Sequence, residues 1–256
     1  MSISILIPSY NTPKEYLIEC INSIIHQSCI KNYQFEIVWI DDGSDKEKIL
    51  ELEDSLKLFN SQPNIHLIYK KLDENKGIVD ALNIGLELCT HELIFRMDSD
   101  DIMFPERIQK QIDFMDKNPQ CMILGTLINT FQKKNNRTYV DTNIHKHQDI
   151  IIWDTFIKNP INWFMNHPTL CYRKPAIEKI GKYSNDSIIK RSAMEDWELE
   201  LRFLKTFGAV YNLQEPLLYY RIHENQITIK NSRVSNSDKN NIRKYIFDRL
   251  ITINND

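Results

Sequence analysis

Asp98-Ser99-Asp100-Asp101 sets three carboxylates directly after the apolar run Leu93-Ile94-Phe95, with Arg96 and Met97 between. Alternating carboxylates at a strand end point two oxygens toward one place, which suits a hard, octahedral Mg²⁺ or Mn²⁺. Such ions are held by one or two carboxylates plus a substrate's phosphates. The plain alternative is a solvated acidic turn that caps a helix opening at Pro105. Three acids at the mouth of a buried strand, however, repel one another unless something positive pairs with them. The six glycines favour a cation, since none forms Gly-x-Gly-x-x-Gly or Gly-x-x-x-x-Gly-Lys. A dinucleotide fingerprint and a phosphate-cradling P-loop are both absent, so a cation must replace the backbone N–H groups. His145-Lys146-His147 with Asp149 is a weaker ligand set. A polar loop with two titratable histidines is the commoner meaning, and we assign no metal there.

The elements that must present these residues are legible from hydrophobic period. Ile3 to Pro8 reads as a buried strand, Lys14 to Ile25 as a helix, Phe35 to Ile40 as a strand, and Ile49 to Phe59 as a helix. Ile65 to Tyr69, Ile78 to Leu88 and Leu93 to Met97 continue as strand, helix and strand, and Pro105 opens a further helix. This β-α series predicts an α/β fold, a mostly parallel, doubly wound sheet with helices on both faces. The second half is less regular. It reads as a strand at Cys121 to Phe131, a loop or hairpin at Gln132 to Asp149, a short helix at Ile150 to Ile157 and a strand at Thr169 to Tyr172. A helix at Glu195 to Phe207, short strands at Val210 to Leu213 and Leu217 to Arg221, and a terminal helix at Asn236 to Ile253 complete it. The polar gap Lys230 to Lys239 is the expected joint.

The composition narrows the classes. With 256 residues, a hydrophobic fraction of 42% and a net charge of −3, the chain is an ordinary globular protein with a core of its own. Near-neutrality gives no support for nucleic-acid binding or a polybasic membrane anchor. No apolar run approaches the ~18 to 20 residues of a membrane-spanning helix, and the amino terminus has no signal-peptide pattern. Cys20, Cys29, Cys89, Cys121 and Cys171 are scattered, as expected of reduced, mostly buried thiols in a cytosol-like compartment. The sequons at Asn136 and Asn185 are accordingly taken as chance matches. A place at a membrane surface and homo-oligomerisation stay open.

Beyond the acidic cluster, an ordered set of motifs extends over residues 2–228: Pro8-Ser9-Tyr10-Asn11, Asp41-Asp42-Gly43-Ser44, Asn75-Lys76-Gly77, Ala81-Leu82-Asn83-x-Gly85, Glu195-Asp196-Trp197 and Tyr220-Arg221-x-His223. Each is weak alone. Together, in this order, they resemble the family 2 inverting glycosyltransferases of GT-A fold. The resemblance implies a single GT-A-type domain over residues 1–230, with a nucleotide-sugar half at 1–101, an acceptor-side half at 102–230, and a helical tail at 231–256.

By that resemblance, Asp41 contacts the nucleobase, Tyr10 stacks on it, Pro8 lends a backbone edge and Lys76 approaches the diphosphate. Asp42 shapes the turn, and Asn83 and Asp80 serve packing. Asp98 holds ribose or metal and Asp100 ligates the metal, Mn²⁺ or Mg²⁺, with Asp101 behind them. His223 reaches the metal or diphosphate from a closing segment. Asp196 is the implied base, because an acceptor hydroxyl must lose its proton as the new bond forms. Acids are also favoured at a helix start by the dipole, which explains acidity there without a base. Trp197 suits stacking on a sugar, and Glu195, about 100° away around the helix, is expected to point elsewhere, with acceptor contact as its candidate role. Glu198, Glu200 and Arg202 are taken as structural. His167 and Trp163 precede the strand of the expected acceptor pocket. The implied partners are a nucleotide sugar, a UDP-sugar by expectation, and a glycan, lipid-linked or protein-linked acceptor. A sugar nucleotidyltransferase is the first alternative, though such enzymes need a glycine-rich phosphate loop; a non-catalytic nucleotide- or sugar-binding module is the second.

Overall fold

The computed structural model describes residues 1–134, 137–141, 147–224, 226 and 236–252. Asn136, His145, Lys146 and residues 230–235 of the expected joint lie outside them. Along the chain run β1 (Ser2–Ser9), α1 (Lys14–Ile25), β2 (Gln34–Asp41), α2 (Lys46–Leu56), β3 (Ile65–Lys71), α3 (Ile78–Leu88) and β4 (Leu93–Arg96). Then come β5 (Ile102–Met103), α4 (Arg107–Lys117), β6 (Ile123–Lys134), β7 (Arg137–Asp141), β8 (Ile150–Ile152) and α5 (Trp153–Phe156). The last elements are β9 (Cys171–Arg173), α6 (Lys174–Lys179), α7 (Ser187–Ser192), α8 (Glu195–Phe207), β10 (Ala209–Arg221) and α9 (Asn236–Thr252).

One sheet of ten strands, among the described residues, has the order β3-β2-β1-β4-β9-β6-β10-β5, with β7 on β6 and β8 on β10. β1 pairs in parallel with β2 and β4, and β2 with β3. The sheet is parallel again between β6 and β10, with β9 antiparallel between β4 and β6. The central strands are buried on both faces, which is why their sequences read as nearly continuous apolar runs. Period two still sorts them. Ile3, Ile5, Ile7, Ile37 and Trp39 join the core under α1, α2 and α4, while Leu6, Val38 and Ile40 join the one under α3 and α8.

The expected α/β sheet is therefore present, with local corrections. Ile150–Ile152 is a strand on β10 and only Trp153–Phe156 is helical; three consecutive β-branched isoleucines prefer a pleated surface to a helix. Val210 to Arg221 is one strand rather than two, its register shifting around Pro216, which has no N–H for the ladder. Gln132 to Asp149 holds the β6–β7 hairpin, and α6 and α7 have no counterpart in the expectation. The terminal helix packs on the domain. Ile246 and Leu250 are buried in the same core as Leu199 and Phe203 of α8, and the Tyr245 hydroxyl donates to Asp186 at 2.8 Å. All five cysteines are free and buried. No helix among the described residues is long and apolar enough to cross a membrane.

Candidate active site

The carboxyl ends of β1, β2, β3 and β4 point the same way, and the loops leaving them are tied to one another. The Asn11 main-chain N–H donates to Ser44 Oγ at 2.7 Å, and its side chain exchanges hydrogen bonds with Asp45. Asn11 adopts a positive φ of 51°, a conformation that asparagine tolerates better than most residues. Tyr10, held by this brace, is 50% exposed, so its ring is available to a ligand. Pro8 is buried in β1 in register with Ile40. Asp41 is fully buried and accepts from Ser44 Oγ at 2.5 Å and Ser44 N–H at 3.2 Å; burial raises its carboxyl above the usual range despite those bonds. Asp42 accepts from the N–H groups of Lys76 and Gly77 at 2.8 and 2.9 Å, which fixes the turn that carries the exposed Lys76 side chain. Gly43 permits this approach: at φ +71° a Cβ there would lie 2.3 Å from the Glu74 carbonyl carbon.

At the end of β4, carboxylate oxygens of Asp98, Asp100 and Asp101 lie within 4.8 Å of one another. Arg96, two residues before Asp98 and so on the same face of the chain, is buried and grips it with both terminal nitrogens, at 2.9 and 2.6 Å. Thr12 and Ser99 hydroxyls share a hydrogen bond of 2.7 Å that fastens the rim to the loop after β1. His223 Nε2 lies 2.8 Å from Asp100 Oδ2. Asp101 accepts from the Arg221 main chain at 2.9 Å through Oδ1, while its Oδ2 is buried without a partner. Burial, with the charges of Asp100 and Asp98, pushes the Asp101 carboxyl well above its usual range. Burial raises Asp98 too, against the pull of Arg96. An orphaned carboxylate oxygen beside two further acids and an imidazole is a donor set that fits a hard divalent cation.

Asp196 lies on the first turn of α8, its Oδ1 accepting from the Trp197 N–H at 2.7 Å. Burial raises its carboxyl and Arg96 opposes the rise. The charge of Asp196 in turn adds to the pressure on Asp98. The ion pair of Arg96 is with Asp98, while the Asp196 carboxylate takes its hydrogen bond from its own helix turn. Glu195 is 8% exposed with Oε2 unpartnered; burial and then the Asp196 charge push it to about 8.

The family model for Glycosyl transferase family 2 matches residues 4–195. The amylovoran biosynthesis glycosyltransferase AmsE of Erwinia amylovora is 32% identical over 222 residues, 85% of this chain and 75% of its own length. The chain belongs to glycosyl transferase family 2. Among solved structures, S. aureus TarS 1-349 in complex with UDP-GlcNAc superposes with a TM-score of 0.66 at 20% identity, over 96% of this chain and 65% of that one. The mannosyltransferase PcManGT of Pyrobaculum calidifontis, in complex with GDP-Man and Mn²⁺, does so with a TM-score of 0.57 at 13% identity, over 84% and 54%. These likenesses show a GT-A fold.

In this glycosyltransferase the structure brings Tyr10, Asp41, Lys76, Asp98, Asp100 and His223 to one end of the sheet and sets Asp196 near Asp98. Three expectations are corrected. Trp197 is 7% exposed, packs in the core and donates its indole N–H to the Ile161 carbonyl at 3.4 Å; it stiffens the Asp196 turn and leaves no face for a sugar. Glu195 is not turned out to solvent, since it is 8% exposed with Oε2 buried and unpartnered. His167 is buried, bonded through Nε2 to the Tyr183 hydroxyl at 2.7 Å. Burial and the Arg96 charge lower its pKa well below the usual imidazole value. Trp163, by contrast, is 48% exposed. The residue that sequence reasoning passed over is Arg96. Its signal was present, since a charged side chain inside an apolar strand requires a partner.

Proposed function

We propose that this glycosyltransferase moves a sugar from a UDP-sugar to a hydroxyl of a glycan or of a glycosylated lipid or protein carrier, inverting the anomeric carbon. The observation that carries this reading is the acidic rim at the end of β4: carboxylate oxygens of Asp98, Asp100 and Asp101 lie within 4.8 Å of one another, His223 Nε2 is 2.8 Å from Asp100, and Arg96 neutralises Asp98 from beneath. Tyr10 stacks on the base, the fully buried Asp41 holds the Ser44 turn that backs the base site beside Pro8, and Lys76 approaches the diphosphate. Asp98 and Asp100, with His223 beside them, hold Mn²⁺ or Mg²⁺. Such an ion supplies charge neutralisation for the departing nucleoside diphosphate.

Asp196 removes the proton of the acceptor hydroxyl, and its raised pKa makes it a better acceptor of that proton. Glu195, with a value of about 8, stays protonated at neutral pH. On α8 this leaves Asp196 as the carboxylate for a single displacement, whereas retention needs a nucleophilic carboxylate as well. The UDP-GlcNAc complex of one neighbour and the Mn²⁺ complex of another support the donor and cation classes, and the name of an Escherichia coli relative, UDP-Gal:alpha-D-GlcNAc-diphosphoundecaprenol beta-1,3-galactosyltransferase, supports a UDP-sugar donor and a glycosylated lipid carrier as acceptor. The test is a thermal-shift panel of nucleotide sugars with Mn²⁺, then product analysis by proton NMR. A UDP-sugar should raise the melting temperature most and the product should be inverted. A retained anomer would overturn direct displacement.

A further inference from the structure

Arg221 closes β10 and is 1% exposed. Its guanidinium is stacked between two rings, 4.1 Å from the Tyr16 centroid and 4.4 Å from that of Phe131. Nε donates to the Asp100 main-chain carbonyl at 2.6 Å, and the residue's own N–H donates to Asp101 Oδ1 at 2.9 Å. Nη2 pairs with Glu19 of α1 at 2.5 Å, and Glu19 is paired in turn with Lys133 of β6. The Arg221 carbonyl accepts from the Gln226 side chain, whose own oxygen accepts from the His223 N–H at 3.1 Å. The Tyr16 ring also lies against the His223 ring, with centroids 5.4 Å apart. One side chain therefore joins α1, the Asp100-Asp101 turn and the His223 turn.

Burying a guanidinium costs several kcal/mol of lost hydration, and an apolar side chain would hold α1 against β10 without that cost. What an apolar residue lacks is a planar fork that bonds in several directions at once. Those directions here lead to Asp100 on one side and to Glu19 on the other. We propose that Arg221 is the positioning residue of the rim: it sets the register that puts His223 Nε2 on Asp100 Oδ2 and turns both toward the cation. Its consequence for function rests on the cation reading above, while the His223–Asp100 register can be measured separately on protein stripped of metal.

The test uses Arg221→Lys, which keeps the charge and loses the fork. Long-range ¹H–¹⁵N spectra of metal-free protein should show the His223 imidazole resonances moving from the Asp100-bonded position toward those of a free ring. Manganese titration with UDP, followed by electron paramagnetic resonance, should show affinity about tenfold weaker, the scale of losing a partner that orients a metal ligand. Should Arg221→Lys fail to fold, Glu19→Gln removes one anchor with Arg221 in place, and a smaller change in the same direction is expected. A folded variant of either kind with an unmoved His223 resonance overturns the proposal, as does wild-type manganese affinity in Arg221→Lys. A lower melting temperature with both readouts unmoved would mark Arg221 as merely structural. If the wild type binds no manganese, the cation reading falls instead, and the His223 spectra still decide the register.

Discussion

Arg96 meets Asp98 as a fork on a carboxylate, Nη1 to Oδ2 at 2.9 Å and Nη2 to Oδ1 at 2.6 Å, under the mouth of the candidate site. The guanidinium side chain is 4% exposed and the carboxylate 27%, so the pair is protein-side on one partner and ligand-side on the other.

Removing the buried partner leaves an uncompensated carboxylate. Arg96→Met should lower stability by on the order of 2 to 4 kcal/mol in urea unfolding, below the full range for buried pairs because Asp98 keeps some water. Adding Asp98→Asn should restore part of it. An unchanged midpoint would mean that the pair contributes nothing to the fold.

Asp196→Asn keeps shape and removes the proton acceptor. Turnover should fall by roughly 10²- to 10⁴-fold, with donor binding by calorimetry nearly intact. Wild-type turnover would take the base role from Asp196.

Asp100 bonds only to His223 through its side chain among the contacts described. Asp100→Ala should abolish Mn²⁺-dependent UDP binding, measured by calorimetry with and without chelator. Affinity that does not respond to chelator in the wild type would remove the metal from the scheme.

Glu195 ties pH to stability. Its folded value of about 8 lies above the ordinary glutamate value of 4.5, so between those values the folded state holds the extra proton. Stability from this group is full below pH 4.5 and is lost as pH rises toward 8. Metal-free Glu195→Gln should therefore lose less stability than wild type between pH 5 and pH 8, as followed by urea midpoints. Parallel curves for the two proteins would contradict the burial of an ionisable Glu195.

The sheet was legible where period and punctuation agree. α1, α3 and α8 match their expected bounds, because long amphipathic patterns have one solution. Only the Ile150–Ile152 part of the expected helix is a strand: a short apolar run fits both, and the β-branched preference wins where β10 offers an edge. The acidic rim was legible because its three carboxylates are consecutive or nearly so. Of the partners of that rim, His223 was expected only through the motif resemblance, because it lies 123 positions from Asp100 and no local spacing joins the two; the anchoring contacts of Arg221 had no local signal.

By itself the sequence determined the strand–helix order, the cluster of acids at a strand's carboxyl end, and a motif set sufficient to identify the family. Local spacing encodes these, through the two periods of backbone structure and the chemistry of neighbouring side chains. Tertiary structure alone decided that Trp197 faces the core, that the Glu195 carboxyl is buried, and that Arg221 knots α1 to the rim. Which side of a helix is buried, and which charge meets which across a hundred residues, depends on what packs against it, and no window of sequence contains both sides of that contact.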